Sequence, residues 1–299
     1  MICGFRRIIV TFPACRGVIY LNQSRLPKGF PMCEFCTQHG EGKKWYLNME
    51  NYSRDLFEQD GRREYMAHFL NTFEERTPAS VAQVEALSRT PLAWSMNRYL
   101  TKAQKRSHFG QVVPIEEVEQ IFKLVAGVIR LPCVCRKVTT GNKNARFCYG
   151  LTLDQRLRDS LDDSFNLEIL APEQALEAVR KLDKDGLVHS VWTFKTPYIG
   201  GLCNCDQDCM AYRITYERRY FQNMFRGEYV AGIDPDACNG CKACLRQCQF
   251  GALRYSAVNK KVLVDARACF GCGVCREACH HEAIGLHERR SDPLAVKIW

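Results

Sequence analysis

The sequence predicts an α+β protein, with a mainly helical, cysteine-rich N-terminal domain followed by a small duplicated β/α domain. Three observations predict it. Apolar residues between positions 54 and 76 fall on a helical stripe made by Leu56, Phe57, Tyr65, Phe69, Leu70 and Phe73. Later segments read as short strands beside helices. Residues 233–284 carry one cysteine pattern twice, 31 positions apart.

The elements follow in order. Residues 1–31 differ from the rest and are expected to be an atypical leader, with Met32 as the alternative start. Arg6-Arg7 before Ile8-Ile9-Val10 faintly resembles a twin-arginine export signal, but Arg16 interrupts the apolar stretch and no small-residue cleavage site follows. Cys3 and Cys15 are therefore discounted as ligands. Met32 to Ser53 is a cysteine-bearing lead-in with Gly40 and Gly42 as turn formers. A helix is expected over 54–76, and Thr77-Pro78 should end it or start the next. Further helices are expected over 80–88 and 92–107, and from Pro114, where Glu116 and Glu117 suit a helix N-terminus. Val125 to Leu131 reads as a strand leading into Cys133, Asn166 to Leu170 as a strand, Pro172 to Leu182 as a helix, and Leu187 to Phe194 as a strand after the Gly186 stop. Gly201 to Met210 reads as a cysteine loop, and Tyr212 to Tyr229 as a link. The domains expected are 1–31, a leader; 32–230, a cysteine-rich α+β domain; 231–288, the repeat; and 289–299, a tail.

Cysteine is the compositional outlier, at 18 of 299 residues. Most sit in tight C-x-x-C and C-x-C groups, which in a chain this long point to metal sites rather than a disulfide net. Reduced thiols imply a cytoplasmic location. No apolar run reaches the ~20 residues of a membrane span. The formal charge of +9 is not a nucleic-acid signal. Arg6, Arg7, Arg16, Arg25 and Lys28 concentrate charge in residues 1–31, which hold no acid, and no basic tract follows. No nucleic-acid partner is expected.

The repeat is the most specific signal. Asp234 aligns with Asp265, Ala237 with Ala268, Gly240 with Gly271 and Ala252 with Ala283. Each half is a strand, a C-x-x-C-x-x-C-x-x-x-C run and a short helix. Zinc ribbons use separated C-x-x-C pairs, not such a run. The segment from about Gly232 to His287 resembles the bacterial two-[4Fe–4S] ferredoxin family. The resemblance implies two [4Fe–4S] clusters with crossed ligands. Carried over by position, one cluster takes Cys238, Cys241, Cys244 and Cys279. The other takes Cys269, Cys272, Cys275 and Cys248. One departure stands out: the usual proline after each fourth cysteine is Gln249 in the first half and His280 in the second.

Eight cysteines remain: Cys33, Cys36, Cys133, Cys135, Cys148, Cys203, Cys205 and Cys209. They are candidate metal ligands, enough for two four-cysteine sites. One or two further Fe–S clusters, a structural zinc ion, or free or redox-active thiols would each explain them. The segments 131–136, 186–189 and 203–205 also resemble a group of larger bacterial ferredoxin-domain proteins, in which a cysteine-rich domain precedes the dicluster module. His39 and Lys43-Lys44-Trp45-Tyr46 fit a surface loop and a turn with two anchoring aromatics better than a ligand or a nucleotide contact. No Walker, G-x-S-x-G or H-E-x-x-H motif occurs, and Gly40-x-Gly42 is too short for a dinucleotide fingerprint.

The reading that results is an iron–sulfur electron-transfer protein, relaying electrons between a protein donor and a protein acceptor within a larger redox system. It favours a carrier or redox-complex subunit over a stand-alone enzyme. The alternatives are an Fe–S enzyme or activase with a catalytic cluster in the N-terminal domain, and a redox-sensing regulator. The last rests on a helix–Gly–strand pattern that resembles half of a winged helix but lacks a basic recognition helix.

Overall fold

The computed structural model describes residues 9–10, 19–20, 44–91, 93–161 and 165–298, and the chain divides into two units, 1–33 and 34–299. In the first unit β1 (Ile9–Val10) pairs antiparallel with β2 (Ile19–Tyr20). All that follows concerns the second. Among the described residues no helix is long and apolar enough to cross a membrane.

In the second unit two 3-10 turns, Trp45–Leu47 and Met49–Tyr52, lead into α1 (Arg54–Glu58), α2 (Arg62–Ser88) and α3 (Ala93–Ser107). Ser53 caps α1 by accepting the Leu56 N–H at 3.2 Å. The sequence predicts a break at Thr77-Pro78, yet α2 runs through it. An interior proline costs about 3 kcal/mol. Leu70 before it and Val81 and Val84 after it are packed into apolar clusters, which hold both halves in line.

A seven-stranded sheet follows. Its strands in chain order are β3 (Gly110–Val112), β4 (Val128–Leu131), β5 (Cys148–Leu151), β6 (Glu168–Leu170), β7 (Val188–Thr193), β8 (Ile199–Cys205) and β9 (Met224–Phe225). Their spatial order is β6-β4-β5-β8-β7-β3-β9, antiparallel except for the β3–β9 pair. Between the strands run α4 (Ile115–Leu124), α5 (Val134–Thr140), α6 (Gln155–Asp159), α7 (Pro172–Lys184) and α8 (Met210–Tyr212). The expected strands near 128, 168 and 188 are present. Gly201 to Met210 is corrected: its first half belongs to β8, an inner strand. Glycine and cysteine occupy alternate positions there, so its period of two does not look apolar. β7 is also an inner strand, flanked by β8 and β3, rather than the wing of a winged helix.

Side chains alternate between the two faces of the sheet. Val128, Tyr149, Leu151, Val191 and Leu202 pack with Val118, Ile121 and Phe122 of α4 and with Ala175 and Val179 of α7. The register places Cys148, Cys203 and Ser190 in one row across the opposite face, with Gly150, Gly201 and Trp192 in the next.

The C-terminal module has β10 (Tyr229–Ile233), α9 (Ala243–Gln247), β11 (Leu253–Ser256), β12 (Lys261–Val264) and β13 (Ile284–Glu288). The strand before the first cysteine run, β10, pairs with β13, the strand after the second run. β11 and β12 pair in the same crossed sense. Each half therefore closes on the other, not on itself.

Candidate metal centres

The crossed strand pairing decides which cysteines meet. The Asp234 N–H donates to the Ala283 carbonyl at 2.8 Å, and its counterpart Asp265 donates to Ala252 at 2.7 Å. These bonds carry the end of each cysteine run to the start of the other. Cys279 consequently lines one small cavity with Cys238, Cys241 and Cys244. Cys248 lies within electrostatic reach of Cys269, Cys272 and Cys275. The first group forms an outer site, with Cys241 exposed; in the second, inner site Cys269 and Cys275 are buried.

Glycine is required at two equivalent turns. Gly240 has φ +75° and a Cβ there would stand 2.2 Å from the Lys260 carbonyl oxygen. Gly271 has φ +73° and a Cβ there would stand 2.2 Å from that of Tyr229. Amides elsewhere in the module point at sulfur: Ala252 N–H to Cys248 Sγ at 3.3 Å, Ala283 N–H to Cys279 Sγ at 3.3 Å and Ala231 N–H to Cys269 Sγ at 3.4 Å. Burial pushes the Cys275 thiol up to about 12 and the Cys244 thiol up to about 11. Buried thiols ringed by N–H donors are poor free acids but suit iron, which takes them as thiolates. The donor sets fit [4Fe–4S] clusters.

Residues 237–284 match the family model described as a 4Fe-4S dicluster domain. The match covers under a fifth of the chain and supports an iron–sulfur electron-transfer role. No curated protein matches the chain.

N-terminal to the dicluster module, six further cysteines share one cavity of about 460 Å³: Cys133, Cys135, Cys148, Cys203, Cys205 and Cys209. Cys33, Cys36 and His39 lie outside the described residues. The strand period explains the C-x-C spacing at β8, because residues i and i+2 share a face. Cys203 and Cys205 point into the cavity and Asn204 points away. Cys148 stands opposite Cys203 in the ladder. Cys133 precedes α5, with its sulfur 3.4 Å from that of Cys148. The Cys148 thiol, the Phe147 N–H at 3.0 Å and Arg136 Nη1 at 3.5 Å all donate to Cys133. Together these donors bring its thiol down to about 6, the Cys148 bond contributing most. Burial pushes Cys135 up, and a hydrogen bond with Cys205 followed by burial does the same to Cys209.

A buried polar chain behind the sheet fixes the Cys203-Asn204-Cys205 backbone. His189, fully buried, joins Asn204 Oδ1 at 2.6 Å through Nδ1 and Asp183 Oδ1 at 3.0 Å through Nε2. The Asn204 amide donates to the Phe147 carbonyl at 2.6 Å, and Arg136 donates to the Asn204 carbonyl at 3.2 Å. Arg136 also pairs with Asp206 at 2.7 Å. Asp183 was not legible as part of this assembly, because a charged residue near a helix end reads as solvated.

The two cysteine regions adjoin. Cys248 and Cys272 of the inner site pack on the same apolar cluster as Cys203, Cys205 and Cys209, with Trp192, Tyr212, Phe250 and Phe270 between them. The Phe250 and Phe270 rings stack with centroids 3.9 Å apart. Gln249, the residue after Cys248, donates to the Gly186 carbonyl at 2.6 Å and to that of Cys205 at 3.4 Å. His280, its counterpart, is exposed. Trp45 and Tyr46 are buried anchors, and Lys44 pairs with Glu117 at 2.9 Å.

Proposed function

We propose that the chain is an iron–sulfur relay in which a protein partner exchanges electrons at the outer [4Fe–4S] site. The inner site passes them to a further metal centre held by the N-terminal cysteines. The observation that carries this is that Cys248 and Cys272 pack on the same apolar cluster as Cys203, Cys205 and Cys209. A carrier that served only external partners would have no need to pack its inner site on the same apolar cluster as three more thiols.

The further centre is read as a cluster rather than zinc because zinc has no redox chemistry and could not continue a relay from the inner site. The buried Arg136 guanidinium and the three donors on Cys133 suit the anionic charge of such a centre. In this reading Cys135, Cys203, Cys205 and Cys209 supply ligands with Cys133 or Cys148, and the protein works in the cytoplasm. A second reading is supported by the 3.4 Å separation of the Cys133 and Cys148 sulfurs, which places a dithiol poised for oxidation at the end of the relay.

Iron, sulfide and zinc analysis of protein purified without oxygen tests the proposal. Two cubanes account for about eight irons. The expected result is more than this, falling back to it in Cys135→Ser/Cys203→Ser. About eight irons in wild type would overturn the further cluster. Stoichiometric zinc would then assign zinc, and no zinc would leave the dithiol.

A further inference from the structure

The cavity that holds the six cysteines extends beyond them. Along β8 the row after Cys203 is Gly201, so the floor there is bare backbone. A Cβ built on Gly201 would just touch Phe194, Trp192 and the Tyr149 carbonyl oxygen at 3.6–3.7 Å, so a methyl fits there without a clash and a larger side chain would reach into the cavity that Gly201 lines. Trp192, paired with Gly201, and Phe69 and Phe73 of α2 line this part of the cavity. A volume of about 460 Å³ lies in the range of small-molecule sites, which are largely apolar with a few placed polar groups.

The placed polar group is His108. Its ring stands among Phe69, Trp192 and Phe194, with centroids 4.4, 5.0 and 4.8 Å away. Nδ1 lies 2.7 Å from the Thr193 carbonyl oxygen, which can only accept, so Nδ1 carries the proton. Burial keeps the ring neutral, bringing it down to about 4. Nε2 is therefore a lone-pair nitrogen, an acceptor on a wall of aromatic rings.

We propose that this part of the cavity binds a planar aromatic molecule carrying one O–H or N–H donor, which lies on the Gly201 floor against Trp192 and donates to His108 Nε2. The cysteine row is one ladder step away, so such a ligand stands next to the proposed metal centre. The inference deepens the relay reading by giving its inner end a substrate, but the binding itself requires no particular metal.

The test is isothermal titration calorimetry on the full, iron-loaded chain under anaerobic conditions, with phenol and toluene as probes. Phenol supplies the donor and toluene the same ring without it. A net hydrogen bond in a dry pocket is worth about tenfold in affinity. Phenol is expected to bind about tenfold tighter than toluene. His108→Phe should abolish that preference, and Gly201→Val, which the strand backbone tolerates, should block both probes. The proposal is overturned if wild type binds neither probe, binds both equally, or is unaffected by Gly201→Val. Iron content, measured separately on each protein, reports on the relay reading alone, so the failure of one is not mistaken for the failure of the other.

Discussion

The Gln249 side chain donates to the backbone carbonyl of Cys205, 3.4 Å away, and so ties the residue after an inner-site cysteine to a strand of the N-terminal sheet. The same amide reaches the Gly186 carbonyl at 2.6 Å. Gln249 thus has a structural role: it clamps the inner cysteine site to the sheet that carries Cys205.

Replacing Gln249 by proline should loosen the clamp without emptying the dicluster module. Two buried carbonyls lose their donor, which costs about 1–3 kcal/mol each at most. Urea denaturation should show a drop of that order, while iron content stays at the wild-type level. Loss of iron would mean that Gln249 serves the inner site itself.

Gly240→Ala and Gly271→Ala should each strip iron, because the new methyl group meets a carbonyl oxygen at 2.2 Å on a left-handed backbone. Lys242 offers the opposite experiment. It holds φ +66° where its repeat partner is Gly273, so Lys242→Gly should stabilise the module by about 0.5–1 kcal/mol. The midpoint of denaturation and the iron count measure both. Retention of full iron in Gly271→Ala would refute the steric account.

His108 predicts a pH dependence. Its folded ring is held down to about 4, whereas a free histidine titrates near 6.5. The unfolded chain therefore takes up a proton on acidification before the folded chain does. The stabilisation is complete above about pH 6.5 and is lost progressively as pH falls towards about 4. Urea denaturation of wild type and His108→Gln at about pH 5 and about pH 7.5 should show a shallower slope in the variant. Equal slopes would show that the ring is not held neutral.

His189→Leu should be severely destabilising, by about 3–5 kcal/mol, since it leaves the buried Asp183 carboxylate and Asn204 Oδ1 without their partner. Asp183→Asn/His189→Leu, which also removes the charge, should recover part of the loss. Thermal unfolding of the two variants decides between a charge penalty and a simple loss of packing.

The sequence by itself determined the dicluster repeat, because ligand spacing along the chain is local. Cys238, Cys241 and Cys244 lie within seven residues of chain, and Gly240 and Gly271 announce the tight turns that draw each run together. It also showed the helices at 93–107, 115–124 and 172–184, whose apolar spacing and end residues are local signals. Tertiary structure alone decided the rest. The meeting of Cys133 with Cys148 depends on the β4–β5 pairing of Leu131 with Cys148, and that of Cys148 with Cys203 on β5–β8 pairing across more than 50 residues, which no local pattern encodes. β8 itself was hidden because cysteine and glycine, needed to build the cavity, took the places of the apolar residues that mark a strand. His108 and Gly201 carry no signal of their own, and acquire a role only when the sheet and α2 enclose the space between them.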